Sequence, residues 1–323
     1  KFSGWKALGE REHVRFSGYV CFMDSSQSGQ EDTGTWNLTQ TLSGHQGAVY
    51  DLTVDTQGAL WSAGGDGWLV RWAKEPAGWS TQGEAMVRTE GALYAVDSGA
   101  TGVVAGGADG GLVQWASEET LILPGHQGGT YMMNGSHSGG ADGKLRHWPS
   151  QEVVGTVPGR IRSHAALKEG HVVGTHEGIL YHLKQGWSQT LHKGSLRAIL
   201  PWPGKEAWGT VGADGALCVW RASNDTGWTL LLRIDAHKGA IYRLQASPDG
   251  RWVATASRDR SVAVWDADTL TLNQRLAKPK SEGHIRSVNA LSFLGPNVLA
   301  SAGDDGRILI WTREGGKQPN AEG

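Results

Sequence analysis

The sequence has little cysteine, no strong charge of either sign and no long apolar run. Its 323 residues include two cysteines, Cys21 and Cys218, without a C-x-x-C pair, so the chain lacks a disulfide framework and a cysteine zinc site. The formal net charge of −2 gives no global electrostatic reason to bind nucleic acid or an acidic membrane. No apolar run approaches the roughly 18 residues that cross a bilayer. These absences argue against membrane and nucleic-acid partners, and the scarce cysteine predicts a reducing, cytoplasmic location.

Motifs of the common enzyme classes are also absent. The sequence contains no P-loop, no G-x-S-x-G, no H-E-x-x-H and no Rossmann fingerprint. We therefore predict a protein that is not an enzyme, with no catalytic residues and no cofactor.

Glycine and tryptophan are abundant and recur in a repeat. Seven segments combine an acidic residue, a turn and a short apolar strand: DGWLVRW (66–72), DGGLVQW (109–115), DGKLRHW (142–148), EGILYHL (177–183), DGALCVW (214–220), DRSVAVW (259–265) and DGRILIW (305–311). Glycine follows six of the seven acidic residues, as in two-residue hairpin turns that require positive φ. Short strands joined by tight turns, without a long helical period, predict four-stranded antiparallel blades.

This repeat resembles that of the WD40 family, whose fold is the β-propeller. The resemblance covers residues 34–312 and implies an all-β, seven-bladed WD40-type propeller, similar to small stand-alone members of the family. The weak unit at 151–183 leaves six blades as the alternative count. We expect residues 1–33 to form an N-terminal extension that is partly disordered or capping, and residues 313–323 to form a disordered C-terminal tail.

The outer strands predict how the ring closes. Six blades have a candidate outer strand, at residues 79–88, 119–123, 151–157, 187–191, 228–234 and 270–276. The last blade lacks one at its C-terminal end, while Thr35–Leu42 precedes the first repeat and belongs to no blade. We therefore predict that Thr35–Leu42 pairs with Ile308–Trp311, which also covers an exposed strand edge.

The family resemblance implies a structural role for a recurring set of His, Ser or Thr, Asp and Trp. In WD40 proteins these four side chains form a buried hydrogen-bond chain within one blade. Five units match: His45, Ser62, Asp66 and Trp72; His126, Ser138, Asp142 and Trp148; His192, Thr210, Asp214 and Trp220; His237, Thr255, Asp259 and Trp265; and His284, Ser301, Asp305 and Trp311. A His beside Ser and Asp also suits a catalytic triad, but five copies favour a structural network.

Half of the twelve histidines fall between residues 137 and 182, which raises the question of a metal. His147 and His182 share a register on the third strands of adjacent blades and are the candidate pair. No cysteine accompanies them and their spacing fits no metal motif, so we predict no metal site. The alternative function is small-molecule, sugar or metal binding, or hydrolysis, in the central channel near these blades.

A further set of positions predicts the functional surface. In WD40 proteins, the residues three and five after the His and one before the Asp tend to line the partner-binding face. Carried onto this sequence, they give the predicted partner-binding residues Tyr50, Tyr94, Tyr131, Arg197, Tyr242, Arg258, Asn289 and Asp304. Tyrosine offers a large, rigid contact area with a hydroxyl group. We therefore predict a scaffold or recognition module that binds a protein or peptide on this face.

Two other interpretations of this face stay open. The tyrosine rings could cover the channel mouth and pack on one another instead of contacting a partner. A local basic arc of Arg160, Arg162, Arg197 and Arg258 is the feature that nucleic-acid binding would use.

Overall fold

The computed structural model describes residues 34–99, 101–116, 119–223, 226–277 and 282–315. These residues form seven four-stranded antiparallel sheets and one two-stranded hairpin. Each four-stranded sheet is one blade, so the predicted all-β, seven-bladed propeller is confirmed and the alternative of six blades is wrong. Over the described ranges, no helix has the length and apolar character needed to cross a membrane.

The strands follow the chain blade by blade. The first to appear is β1 (Thr35–Ser43). Blade 1 and a small hairpin within it contain β2 (Val49–Val54), β3 (Leu60–Gly64), β4 (Trp68–Trp72), β5 (Lys74–Glu75), β6 (Gly78–Trp79) and β7 (Glu84–Arg88). Blade 2 contains β8 (Leu93–Gly99), β9 (Gly102–Gly107), β10 (Leu112–Ala116) and β11 (Glu119–Leu123). Blade 3 contains β12 (Thr130–Asn134), β13 (His137–Gly140), β14 (Lys144–His147) and β15 (Glu152–Thr156).

The second half of the ring repeats this arrangement. Blade 4 contains β16 (Ile161–Leu167), β17 (Gly170–Thr175), β18 (Ile179–His182) and β19 (Ser188–Thr190). Blade 5 contains β20 (Leu196–Pro201), β21 (Trp208–Gly212), β22 (Ala216–Arg221) and β23 (Thr229–Asp235). Blade 6 contains β24 (Ile241–Ala246), β25 (Trp252–Ser257), β26 (Val262–Asp266) and β27 (Leu272–Leu276). Blade 7 contains β28 (Val288–Gly295), β29 (Val298–Gly303) and β30 (Arg307–Glu314).

The ring is closed by the two ends of the described chain. β1 pairs antiparallel with β30 as the outer strand of blade 7, with Leu38 opposite Trp311 and Leu42 opposite Ile308. The predicted closure is therefore confirmed. The first strand of every blade also contacts the first strand of the next blade, and β28 contacts β2. These seven inner strands surround the central channel.

Five of the six predicted outer strands agree with the observed strands to within two residues. The exception is the prediction of one strand at 79–88, which is wrong at its start because β7 begins at Glu84. Trp79 instead belongs to the β5–β6 hairpin, where its backbone N–H donates to Gln40 Oε1 at 3.1 Å. Its indole is buried, so this hairpin is held against β1 and cannot extend the blade.

The proposed extension at 1–33, which includes Cys21, lies outside the described residues. The proposed disordered tail at 313–323 is wrong at its start, because Arg313 and Glu314 belong to β30, and residues 316–323 lie outside the described residues.

The recurring polar chain is complete in blades 1, 5, 6 and 7. In blade 1, His45 Nδ1 donates to Asp66 at 3.0 Å, His45 Nε2 lies 2.8 Å from Ser62 Oγ, and Trp72 Nε1 donates to that oxygen at 2.9 Å. The corresponding contacts in blades 5, 6 and 7 lie between 2.7 and 3.1 Å. Burial opposes ionisation of Asp66, but hydrogen bonds from His45 and Gln46 leave its pKa below the usual value.

Blade 3 departs from the predicted chain at its tryptophan. His126 still bonds Asp142 and Ser138, but Trp148 Nε1 is buried without a hydrogen-bond partner. In blade 1 the tryptophan lies opposite the residue two before the hydroxyl. The equivalent residue in blade 3 is Ser136, which has a φ of 67° in the turn before β13. The prediction is wrong for Trp148 because this hairpin is too short, and its indole packs with apolar side chains of blade 2 instead.

Candidate functional site

One residue of each blade contributes to a ring of side chains, which we call the face ring. Every member sits where the pairing between the first two strands of its blade shifts register, that is, at a β-bulge. A bulge changes the direction in which a side chain points, so one position in each blade leaves the regular strand alternation. The seven members are Tyr50, Tyr94, Tyr131, Arg162, Arg197, Tyr242 and Asn289.

The face ring encloses one open cavity of about 520 Å³. Asp51, Arg243 and Asp304 complete its lining. Seven of the eight predicted partner-binding residues therefore lie around one space. The eighth, Arg258, lines an adjoining cavity of about 830 Å³ that also includes Tyr50 and Asp304. Whether a partner occupies this surface stays a prediction.

Three lining residues were not assigned to the face by sequence reasoning. Arg162 appeared there only as a member of the basic arc, because the first strand of the fourth unit could not be aligned. A usable signal was the distance along the sequence to the acidic residue that begins each repeat segment. Arg162 lies 15 positions before Glu177, and the ring residues of the other six units lie 11 to 17 positions before theirs. Asp51 and Arg243 follow ring residues directly, and nothing in the repeat pattern singles them out.

The first half of the face ring is aromatic. The Tyr50 and Tyr94 rings meet edge to face with centroids 5.3 Å apart, and Tyr94 and Tyr131 stack at 5.6 Å. The rings thus pack on one another, as one interpretation of the sequence predicted, while all three remain half-exposed. Such contacts favour aromatic pairs by about 0.5–1.5 kcal/mol and hold the rings in fixed positions.

The second half is basic. The Arg162 guanidinium carbon lies 3.9 Å from the Tyr131 ring centroid, and that of Arg197 lies 5.1 Å from Tyr242. Burial and the neighbouring charge of Arg197 lower the pKa of Arg162 to about 10. Burial also lowers the pKa of Arg197. Both remain charged near neutral pH, so this half of the cavity is positive.

The acidic residues of the cavity are already engaged. Asp51 forms an ion pair with Arg243 and accepts hydrogen bonds from the N–H groups of Leu52 at 2.8 Å and Val96 at 3.1 Å. On the other side, Asn289 Nδ2 donates to Asp304 Oδ1 at 2.7 Å. The carboxylates therefore hold neighbouring strands and side chains within the ring.

A separate group of histidines lies where blades 3 and 4 meet. His147 and His182, the candidate pair, make their ring contacts with other residues. His147 instead contacts His137 with centroids 5.3 Å apart, and His182 contacts Trp187 at the same distance. The two histidines make different ring contacts because each ring packs against a residue of its own blade.

His137 extends this group across the blade boundary. Its ring centroid lies 4.8 Å from that of His164 and 4.9 Å from that of His171. His164 Nε2 lies 2.9 Å from His171 Nδ1, and burial, with the two neighbouring histidines, lowers the pKa of His164 to about 3. Within the described ranges, no group of three or more His, Cys, Asp or Glu side chains is arranged to hold a metal ion.

Comparison with known sequences identifies the repeats. Residues 36–72, 228–266 and 277–312 match the family described as WD domain, G-beta repeat. The WD repeat-containing protein 55 homolog of Drosophila persimilis is 33% identical over 85 residues, which are 26% of this chain and 16% of that protein. Nuclear distribution protein PAC1 of Meyerozyma guilliermondii is 26% identical over 111 residues, covering 28% of this chain and 22% of that protein. The chain spans less than a quarter of the length of these curated relatives.

Comparison with solved structures agrees at the level of the fold. The WD40 beta propeller domain of Doa1 superposes with a TM-score of 0.73 and is 19% identical in sequence. The match covers 87% of this chain and 97% of that chain. At this identity the likeness concerns the arrangement of blades, and function has to be argued from the residues of the face.

Proposed function

We propose that this chain, a seven-bladed propeller with WD40 repeats, is a non-catalytic scaffold that binds a protein or peptide partner on the face ring. The proposal extends the general use of WD40 propellers in protein interactions to one surface of this molecule. It also includes a cytoplasmic location, for which the scarcity of cysteine is the support.

The observation that carries the proposal is the convergence of seven bulge residues on one open cavity. Four of them are tyrosines that remain half-exposed. Aromatic residues and arginine are enriched at the energetically important centres of protein interfaces. Because the Tyr50, Tyr94 and Tyr131 rings already contact one another, these side chains would lose little conformational entropy when a partner binds.

The buried polar chains support a function without catalysis. In blades 1, 5, 6 and 7 the His, hydroxyl and Asp groups are repeated, and each hydroxyl also accepts the indole N–H of a tryptophan. Their hydroxyl oxygens lie on fully buried residues, where a substrate has no access. These groups therefore serve blade stability in the proposed function.

The proposal can be tested by affinity capture from a lysate of the source cells. The test variant is Tyr50→Ala/Tyr242→Ala, and the control is Leu121→Ala/Ile122→Ala, which removes exposed apolar side chains from outer strand β11. We expect proteins captured by the wild type and the control to be lost from the tyrosine variant at a temperature where all three proteins are fully folded. Equal capture by all three proteins would contradict the proposed face.

A further inference from the structure

We propose that the basic half of the cavity binds an anionic group, a carboxylate or a phosphate on a side chain of the partner segment, between Arg162 and Arg197. This inference rests on the proposed function, because the partner supplies the anion. It adds the chemical class of the group that the face recognises.

The first argument is that these two guanidinium groups have no anionic counterpart in the structure. Within the described ranges, no carboxylate forms an ion pair with Arg162 or Arg197, and the Nε atoms of both are buried without a hydrogen-bond acceptor. Arg243 and Arg307, in contrast, form ion pairs with Asp51 and Asp305. A largely buried charge without a counterion is unfavourable, so an added anion would relieve an existing energetic cost.

The second argument is that positive charge is concentrated at this point of the ring. Burial first, then the charge of Arg197, lower the pKa of Arg162, and after burial both arginines lower the pKa of nearby His176. Of the carboxylates of the cavity, Asp51 is paired with Arg243, and Asp304 accepts a hydrogen bond from Asn289 in blade 7, which does not adjoin the blades of the two arginines. The repulsion between the two arginines disappears when an anion lies between them.

The third argument is that the guanidinium groups are held for recognition of a planar or tetrahedral anion. Arg162 lies over the face of Tyr131 and Arg197 over the face of Tyr242. Cation–π contact holds each plane by its face and leaves the N–H groups at its edge free to donate. An edge of this kind matches two oxygens of a carboxylate or phosphate at once.

The test measures the melting temperature and the binding heat of the full chain with inorganic phosphate and with acetate in low-chloride buffer. The variants are Arg162→Gln and Arg197→Gln, and the control is Arg221→Gln, which removes an exposed arginine at the end of β22. We expect phosphate or acetate to raise the melting temperature of the wild type and the control. The affinity of each test variant for the anion should be about tenfold or more lower, because each variant loses a charge-assisted hydrogen bond.

The variants without added anion provide a second readout. We expect the melting temperature of Arg162→Gln to change little, because the variant loses both the like charge beside Arg197 and the cation–π contact with Tyr131. An anion response equal in all four proteins would overturn the inference.

The relative affinities for phosphate and acetate identify which kind of partner side chain supplies the anion. Affinity for phosphate about tenfold or more above that for acetate assigns a phosphorylated side chain, and similar affinities assign Asp or Glu. A single-stranded oligonucleotide that binds more tightly than either, with a steep dependence on salt, would overturn the assignment to a partner side chain.

The inference and the proposed function fail in different ways. If Tyr50→Ala/Tyr242→Ala loses partner capture but Arg162→Gln/Arg197→Gln keeps it, the partner binds the face without using the anion site, and the inference is wrong. If phosphate binding depends on the two arginines while capture is unaffected by either double variant, the anion site stands and the proposed function is wrong.

Discussion

The Arg162 guanidinium carbon lies 3.9 Å from the centre of the Tyr131 ring. The two residues occupy the bulge position of neighbouring blades, so the contact joins blades 4 and 3 on the face. Together with the Tyr50–Tyr94 and Tyr94–Tyr131 contacts, it makes a continuous row of side chains in contact over four blades. The β-bulge that recurs in each blade thereby places these side chains of the face ring in contact before any partner binds.

This arrangement predicts that each half-buried tyrosine of the face ring contributes only modestly to folding stability. Each ring is half-exposed, so we expect Tyr50→Ala to lower the free energy of unfolding by about 1 kcal/mol, the value of one aromatic contact. Urea denaturation followed by tryptophan fluorescence measures this loss. A loss as large as the roughly 3–5 kcal/mol of a buried aromatic would mean that the rings serve mainly as core.

Because β1 closes the ring, substitutions of its buried residues should lower the free energy of unfolding much more than Tyr50→Ala does. Trp36 is buried, and the strand that carries it completes blade 7. We expect Trp36→Ala to lower the free energy of unfolding by about 3–5 kcal/mol, and deletion of residues 34–43 to reduce both the cooperativity of melting and solubility. Thr41→Ala, an exposed change on the same strand, should stay within about 0.5 kcal/mol of the wild type. An unchanged melting curve for the deletion would contradict the closure.

The polar chain of blade 3 lacks the tryptophan hydrogen bond, so blades 1 and 3 can be compared to measure what that bond contributes to stability. Ser62→Ala leaves two buried groups without a partner, His45 Nε2 and Trp72 Nε1, whereas Ser138→Ala leaves only His126 Nε2. An orphaned buried polar group costs about 1–3 kcal/mol. We therefore expect the loss of stability to be larger for Ser62→Ala by at least about 1 kcal/mol. Equal losses in chemical denaturation would show that the indole bond contributes nothing.

The histidines at blades 3 and 4 predict a dependence on pH. Burial first, then His137 and His171, lower the pKa of His164 from 6.5 to about 3, so the unfolded chain binds the proton more readily than the folded one. Stability is therefore full above pH 6.5 and is lost as the pH falls from 6.5 toward about 3.

This dependence can be isolated by replacing the buried ring. Between pH 6 and 4.5, we expect the wild type to lose up to about 1.4 kcal/mol per pH unit more than His164→Gln. Denaturation of the wild type and the variant at several pH values measures both slopes. Parallel slopes would contradict a buried neutral His164.

The sequence was sufficient to predict the blades because their strands and turns are local features. An acidic residue, a turn and a short apolar strand recur in each unit, and closure followed from one unpaired strand, Thr35–Leu42, and one missing strand. Trp148 was mispredicted because the β12–β13 hairpin is too short for its indole to reach Ser138. The usable signal was the spacing of 12 positions from His126 to Ser138, since the other four units have 17 or 18. Local patterns thus predict elements better than contacts between them.

The cavity was only partly predictable for a related reason. Most ring positions followed from the repeat, but Arg162 required the bulge in β16 to be located, and the weak fourth unit gave no His to count from. The ion pair between Asp51 and Arg243 joins residues 192 positions apart. Only ring closure brings them together, and no pattern in either repeat predicts the contact.

The most direct test of the central claim is site-specific photocrosslinking from the face. A photoreactive phenylalanine analogue at Tyr94 would report what contacts the ring, and the same analogue at Ile122, an exposed residue of outer strand β11, is the control. We expect a specific crosslinked protein from the Tyr94 position, lost in the Tyr50→Ala/Tyr242→Ala background, and none from the Ile122 position. Crosslinks from Ile122 alone would contradict the account and assign partner binding to the outer edge of the propeller.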